Sequence, residues 1–285
     1  MTQIYNNFVF GQICVVLESL LKPLIFFAGM IERIRKYAKS LEKEAIPQLS
    51  INCVIFGFHE KTLKVIVNRI PLGKSNMLVL PGGFIKQTED LTDAVERIVN
   101  ENTGLQKILF KQFAVFGDAS RSFGAEFSAM AELFADEDKR ALKWFSNRFL
   151  TICYLALVDY DKIDLKPTQF METAEWLSVD SRKSLAMDHS EILKNAMETL
   201  LKELPHSPIA SNLLPSKFIL PELHALIEAI LGRKIDRANF RRKVLATDLL
   251  VKVGQDNSGN RRPADLYTFR HGKKTSLNDE YKFGF

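Results

Sequence analysis

Residues 80–105, LPGGFIKQTEDLTDAVERIVNENTGL, combine a glycine pair with charged residues at helical spacing. Helix positions i, i+3 and i+4 share one face, so residues 98, 101 and 102 are expected to lie together. Carboxylates at all of these positions could hold Mg²⁺, a hard cation that prefers oxygen ligands, against a pyrophosphate. A segment with acids at all three positions would be a candidate for a metal-dependent hydrolytic site.

The acidic residues that such a site needs are mostly missing. Ile98 supplies no oxygen and Asn102 supplies only a neutral one, so Glu101 alone cannot make the site. We therefore predict no catalysis, no catalytic residue and no metal site. The loop at residues 81–84 could still cradle a phosphate or a sugar with its backbone N–H groups, or its glycines could serve only the tight turn.

Several arginines are candidates for contacting an anionic ligand. Arg97 could contact ligand or order the loop by pairing with Glu89, and we favour the pairing. The others are expected at strand ends or in loops facing the pocket, although each could equally be an ordinary surface arginine. The histidines show no metal-ligand spacing. The predicted effector site comprises Arg69, Gly82, Gly83, Phe84, Arg97, Glu101, Arg121 and Arg148.

Strands and helices around this loop follow from hydrophobic periodicity. Apolar, β-branched runs predict strands at 50–58, 63–70, 76–83, 111–117 and 149–160, with the glycine pair ending the third. An apolar stripe beginning at Leu91 predicts a helix over 89–101. A polar, helical excursion is expected at 122–147. A closing helix follows at 188–204, with Asp188 or Ser190 as its N-cap.

The charge of the chain is unevenly distributed. The net charge is +5. From Lys217 onward there are 14 basic and 8 acidic residues, a net of +6, which leaves 25 basic and 26 acidic residues before it. A compact basic module behind a near-neutral domain indicates an anionic partner, most often nucleic acid, with a solvated lysine-rich tail as the alternative.

The overall composition narrows the class of protein. Apolar residues make up 46% of the chain and charged residues 26%, which excludes a disordered chain. Cys14, Cys53 and Cys153 are far apart and odd in number, so neither a disulfide framework nor a zinc site is expected. This usage fits a reducing cytoplasm. No cofactor is expected.

The apolar stretch at residues 8–30 has several interpretations. Glu18, Lys22 and Pro23 interrupt it, and a charge near a bilayer centre costs about 2.5–3.5 kcal/mol, so a membrane anchor is not favoured. The alternatives are a peripheral or packing helix and a start codon placed too early, with native translation from Met30. We treat 1–49 as an N-terminal extension.

The basic tail has the pattern of a winged helix-turn-helix. LPELHALIEAIL predicts a helix that ends at Gly232, and Asp236 is a suitable N-cap for a second helix over 237–247. Phe240 and Val244 should point inward. A hairpin with a basic tip follows. The predicted DNA-contacting residues are Arg237, Asn239, Arg241, Arg242, Lys243, Arg261 and Arg262.

These motifs resemble known families. The box is similar to the Nudix signature, with Ile98 and Asn102 as its departures; the positions in register are Gly83, Glu89, Arg97, Val99, Glu101, Gly104 and Leu105. Over residues 50–275 the chain resembles the Nudix-related transcriptional regulators of bacteria, above all in EAILGRKIDRANFRRKVLA. That resemblance implies a dimeric regulator that senses a sugar or an ADP-ribose-like nucleotide. The missing carboxylates slightly favour a sugar.

The predicted fold class is α+β. A Nudix-like α/β/α sandwich is expected at 50–204, a linker at 205–216 and a winged helix-turn-helix domain at 217–275. The predicted function is sequence-specific transcription regulation on double-stranded DNA, controlled by a small effector. The alternatives are a working nucleotide pyrophosphohydrolase with a nucleic-acid-binding tail and a membrane-tethered regulator.

Overall fold

The computed structural model describes residues 40, 43–72, 75–119, 121, 147–165, 174–203, 213–246, 249–256 and 263–270. The apolar stretch at 8–30, residues 122–146 of the excursion, and the hairpin tip with Arg261 and Arg262 lie outside them. No helix in the described part of the chain is both long enough and apolar enough to span a bilayer.

A mixed sheet forms the centre of the N-terminal part. Its order is β3-β2-β1-β6-β5, with β4 also paired to β1 and β7 to β2. The β1–β6 pair is parallel and the others are antiparallel. The strands are β1 (Ala45–His59), β2 (Thr62–Leu72), β3 (Ser75–Val79), β4 (Gly82–Lys86), β5 (Lys111–Phe116), β6 (Leu150–Leu157) and β7 (Ala174–Ser178).

Helices cover both faces of this sheet. Helix α1 (Leu91–Thr103) packs with Ile51 and Ile55 of β1. Helix α2 (His189–Glu203) packs on the other face with Val54 and Phe56. Successive residues of a strand point to opposite faces, so a strand covered on both sides must be apolar at nearly every position. The run CVIFGF in β1 meets this requirement, and the predicted α/β/α sandwich is confirmed.

The C-terminal part is a winged helix-turn-helix. It consists of β8 (Phe218–Ile219), α3 (Leu220–Leu231), α4 (Arg237–Ala246), β9 (Leu250–Asp256) and β10 (Ala264–Phe269), with sheet order β8-β10-β9. Gly232 ends α3 in the left-handed region at φ 63°, where a side chain would be strained. Asp236 caps α4 by accepting from the Asn239 N–H at 2.8 Å.

The two parts share one hydrophobic core. Leu223 and Ile227 of α3 belong to the same buried cluster as Val65 of β2 and Ile192 of α2. Helix α3 packs against both β2 and α2. A displacement of β2 or α2 would therefore shift α3, the first helix of the winged domain, because packed interiors transmit strain.

Some predicted boundaries are wrong in instructive ways. Helix α1 begins at Leu91 instead of residue 89 because the Asp90 side chain accepts from the Thr92 and Asp93 N–H groups and so caps the first turn. The glycine pair opens β4 instead of ending the third strand, because Gly82 and Gly83 pair with β1. Strands β7 and β8 are too short to give a recognisable alternation and were not predicted.

Candidate functional site

Ile98, the first of the three positions where metal binding would need an acid, is part of the hydrophobic core. Ile98 is 0% exposed, and a Cβ added to Gly83 would lie only 3.0 Å from its Cγ1 atom. Gly83 therefore allows β4 to approach α1 closely. An isoleucine packed in this way serves the helix–sheet contact and presents nothing to a ligand.

The second missing acid position, residue 102, holds the segment of residues 81–84 at the start of β4, which we call the glycine loop. The Asn102 Nδ2 atom donates to the carbonyls of Gly82, at 3.1 Å, and Ile98, at 2.8 Å. Its Oδ1 atom accepts from Asn68 Nδ2 at 2.7 Å and from the Gly82 N–H at 3.4 Å. Because both backbone groups of Gly82 bond to one amide, α1 fixes the start of β4.

Asn68 was not singled out in the sequence, although a lone amide within the apolar run LKVIVNRI is a usable signal. It is fully buried, and its Oδ1 is the sole buried side-chain polar atom without a hydrogen-bond partner in the described residues. Such an unpaired group costs about 1–3 kcal/mol. The contribution of Asn68 is therefore its Nδ2 bond to Asn102.

Arg97 is the centre of an ion-pair cluster. It donates to Glu89 through Nε, to Glu101 through Nη1 and to the Phe84 carbonyl through Nη2, each at 2.8 Å. Glu89 also accepts from the Lys86 N–H at 2.7 Å. Desolvation acts to raise the pKa of Glu89, but the bonds from Arg97 and Lys86 outweigh it and the pKa lies below its usual value. The predicted pairing of Arg97 with Glu89 is present.

These contacts decide whether the residues fit Mg²⁺. Glu101 and Glu89 bind the Arg97 guanidinium, Asn102 holds Gly82, and Ile98 has no oxygen. Across the described residues, no group of three His, Cys, Asp or Glu side chains is placed to hold a metal ion. A divalent cation needs several oxygens in reach at once, so this donor set does not fit one.

The other predicted arginines are held by protein partners. Arg121 donates to Asp188 at 2.6 Å and to the Phe149 carbonyl at 3.1 Å. The Phe149 ring lies 5.3 Å from that of Phe84, whose carbonyl accepts from Arg97, so Phe84 links the two arginines. The remaining pairs lie on other elements: Arg69 with Glu175 and Arg148 with the Gly117 carbonyl. Ligand contact by these arginines stays a prediction.

A buried histidine holds the glycine loop from the opposite side. His189, the first residue of α2, accepts from the Leu80 N–H through Nδ1 at 3.0 Å. The Asn52 amide lies between His189 Nε2, at 3.3 Å, and Thr151 Oγ1, at 2.8 Å. A Cβ added to Gly82 would lie 2.5 Å from Asn52 Nδ2. The loop is thus fixed between Asn102 and this network, which spacing along the chain did not predict.

We expect His189 to make stability depend on pH in the acidic range. Burial lowers its pKa from 6.5 to about 4, while Asp188 acts to raise it and Arg121 to lower it. Between these values the unfolded chain binds a proton that the folded chain does not. The stabilisation, about 3 kcal/mol, is therefore complete above pH 6.5 and lost as the pH falls to about 4.

Urea unfolding of the wild type and His189→Asn at several pH values from 7.5 to 4 measures this term. The wild type should lose more stability than the variant over that range, since both share every other titrating group. Parallel profiles would show that His189 is not held neutral in the folded protein.

Helix α4 presents the predicted DNA-reading face. Phe240 is 2% exposed and Val244 is 0% exposed, which confirms that they point inward. Arg237, Arg241 and Arg242 are exposed. The Arg242 Nη2 atom donates to Asn239 Oδ1 at 2.9 Å, so these two predicted DNA-contacting residues are hydrogen-bonded to each other in the absence of DNA. The remaining predicted residue of this helix, Lys243, is half-buried.

The turn before α4 is held by side chains of α3. Glu228 accepts from the Ile235 N–H at 2.8 Å, and His224 Nε2 lies 3.0 Å from the Ile235 carbonyl. The His224 ring meets the Phe240 ring edge-on at 4.8 Å. The bond from the Ile235 N–H, followed by that from Lys234, lowers the pKa of Glu228. These contacts fix the orientation of α4 on α3.

Two family profiles match the chain. The NUDIX domain profile matches residues 46–196. The chain belongs to the Nudix family. The profile described as the NrtR DNA-binding winged helix domain matches residues 210–269. The predicted resemblance to the Nudix-related transcriptional regulators is confirmed, with DNA binding, transcription regulation, repression and ligand sensing as the functions this combination supports.

Individual relatives agree with this assignment. The chain is 27% identical over 244 residues to the "ADPR responsive transcriptional repressor NtrR" of Acinetobacter baylyi, covering 84% of this chain and 86% of that one. Shewanella oneidensis NrtR complexed with a 27mer DNA has a TM-score of 0.55 at 28% identity, covering 78% of this chain and 94% of that one. A MutT/nudix family protein from Enterococcus faecalis, 20% identical with a TM-score of 0.56 over 79% of this chain and 87% of that one, shows the same fold.

The Nudix box of this chain keeps the family's structural residues. Gly104 ends α1 in the left-handed region at φ 76°, and Leu105 is buried behind it. Arg97 and Glu89 order the loop. The residues that match the family signature thus position α1 and β4, whereas the departures at 98 and 102 fall on the face that would bind metal.

Proposed function

We propose that this Nudix protein is a transcriptional repressor that binds an ADP-ribose-like nucleotide without hydrolysing it. Ligand binding at the Nudix domain then changes the affinity of the winged helix domain for its operator. Two observations together carry the proposal. The face of α1 that would bind metal makes internal contacts instead, and α4 presents an exposed face with several arginines.

The absence of hydrolysis rests on the contacts of the box. Ile98 belongs to the core and Asn102 bonds to Gly82 and Asn68. Glu101 is the one carboxylate among positions 98, 101 and 102, and it forms an ion pair with Arg97. Without several oxygens converging on one cation, the attacking water and the leaving phosphate lose their main source of charge stabilisation.

The choice of ligand rests on the relatives. The Acinetobacter baylyi protein is described as ADPR responsive, and it matches most of this chain. A sugar remains the second candidate, because it needs no metal. We propose that the effector contacts come from the loop and the arginines predicted above, that the repressor acts as a homodimer, and that it works in the cytoplasm.

A DNA-binding titration tests the proposal. A duplex selected by the protein from a random library serves as the operator, and its Kd is measured by fluorescence anisotropy with no ligand, with ADP-ribose, and with free ribose or arabinose. We expect ADP-ribose to change the operator Kd by about 5–150-fold, the usual range of coupling between two sites.

The free sugars are the matched arms of this titration. A response to a free sugar alone would replace the nucleotide by a sugar as effector. Unchanged Kd values in every arm, at ligand concentrations that saturate a direct binding assay, would contradict a sensing role.

A further inference from the structure

The His189 side chain connects the glycine loop to α2, the helix on which the winged domain packs. The Leu80 N–H donates to His189 Nδ1 at 3.0 Å, and Leu80 directly precedes residues 81–84. The neighbouring segment adds a second contact, since the Ala186 N–H donates to the Leu78 carbonyl at 2.8 Å. Both Leu80 and His189 are buried, so no water competes for this bond.

His189 is also part of the element that supports the DNA-binding domain. It begins α2, whose Ile192, Ala196 and Leu200 lie in the same buried cluster as Leu223 and Ile227 of α3. Helix α3 in turn holds α4 through His224 and Glu228, described above. A shift of the loop that moves the Leu80 N–H therefore acts on the N-terminus of α2 and, through packed side chains, on α3.

The hydrogen bond from the Leu80 N–H to His189 Nδ1 fixes the protonation and the orientation of the imidazole ring. Because Nδ1 accepts, the ring is neutral with its proton on Nε2. On the other side of the ring the Nε2–H faces the Asn52 amide, which accepts from it when the amide oxygen is turned to the ring and the nitrogen to Thr151. The Arg121–Asp188 ion pair holds the residue before His189. The ring is thus locked in one orientation, and the loop cannot move while α2 stays still without breaking a buried hydrogen bond.

We propose that His189 is the positioning residue that couples the glycine loop to the winged helix-turn-helix domain. The inference rests on the proposed function and names the route by which it operates. In this proposal His189 contacts neither effector nor DNA and acts through Leu80 on one side and α2 on the other.

Two substitutions of His189 distinguish the role of Nδ1 from that of Nε2. His189→Asn keeps an acceptor near the Nδ1 position, whereas His189→Gln places its amide near Nε2 and loses the bond to Leu80. His59→Gln changes a partly exposed histidine that stacks on Tyr160 and serves as the control. Each full-length protein is tested for thermal unfolding, ADP-ribose affinity, and operator Kd with and without saturating ADP-ribose.

We expect the wild type, His59→Gln and His189→Asn to keep the change in operator Kd at saturating ADP-ribose. His189→Gln should reduce it to less than about twofold, against the 5–150-fold usual for coupled sites, while still binding both partners. Full response in His189→Gln would overturn the proposal, whether or not its melting temperature falls.

Amide hydrogen exchange keeps the proposal testable without the effector. Coupling is reciprocal, so operator DNA should change the exchange rate of the Leu80 N–H in the wild type and in His189→Asn but not in His189→Gln. An unchanged Leu80 rate in the wild type would overturn the coupling. A wild type that fails to respond to ADP-ribose but shows this change would instead reject the proposed effector and leave the route intact.

Discussion

Purified protein mixed with ADP-ribose and Mg²⁺ or Mn²⁺ is expected to release no AMP above the rate without protein. Ile98 is 0% exposed and Asn102 is 5% exposed, and both are committed to contacts within the domain. Enzymes commonly accelerate their reactions by about 10⁶-fold or more, so the two outcomes differ by orders of magnitude. Dinucleotides and nucleoside diphosphate sugars should be equally inert.

The matched variants for this assay are Glu101→Gln and Glu96→Gln. Both change a glutamate of α1, but Glu101 is the remaining acid of the box and Glu96 is exposed on another face. Steady turnover that Glu101→Gln abolishes and Glu96→Gln preserves would make the protein a working pyrophosphohydrolase. An authentic ADP-ribose pyrophosphatase, assayed in parallel, shows that the product is detected.

The second large effect concerns how α4 reads DNA. Arg242→Ala should weaken operator binding by about 1–3 kcal/mol, roughly 5–150-fold, and leave random DNA nearly unaffected. Arginine pairs with guanine through two hydrogen bonds, and asparagine does the same with adenine, so Asn239→Ala should also act on the operator alone. The Arg242–Asn239 bond positions both side chains on the exposed face.

Phosphate contacts should behave differently. Arg261→Ala, at the predicted hairpin tip, should weaken binding to operator and random DNA alike. It should also reduce the slope of log K against log salt by about one unit, the effect of losing one phosphate contact. Arg182→Ala, an exposed arginine of the Nudix domain, is the control and should change neither duplex. Equal losses on both duplexes for Arg242→Ala would show that the reading face is assigned wrongly.

Local rules account for the parts of the protein that the sequence predicts well. The i, i+3, i+4 pattern places 98, 101 and 102 on α1, and Asp236 and Gly232 bound the helices of the winged domain at the predicted positions. Charge counting separates a basic C-terminal module from a near-neutral domain. These features can be predicted because they depend on residues close together in the chain, which periodicity and capping rules describe.

The contacts that explain the altered box join residues distant in the chain. Asn102 bonds to Asn68, and Leu80 bonds to His189, because the sheet and the helices on its two faces bring those segments together. No spacing rule relates position 80 to position 189. The same holds for Arg121, a candidate for effector contact, which the fold pairs with Asp188.

By itself, the sequence determined that the chain resembles a Nudix box without two of its acids and carries a basic winged helix-turn-helix in its C-terminal part, because spacing, periodicity and charge are local properties. Only the tertiary structure decided what replaced the acids. Ile98 fills the helix–sheet interface, Asn102 holds Gly82 from one side, and His189 holds Leu80 from the other. Each role depends on which elements pack together, and that is settled by burial over the whole chain.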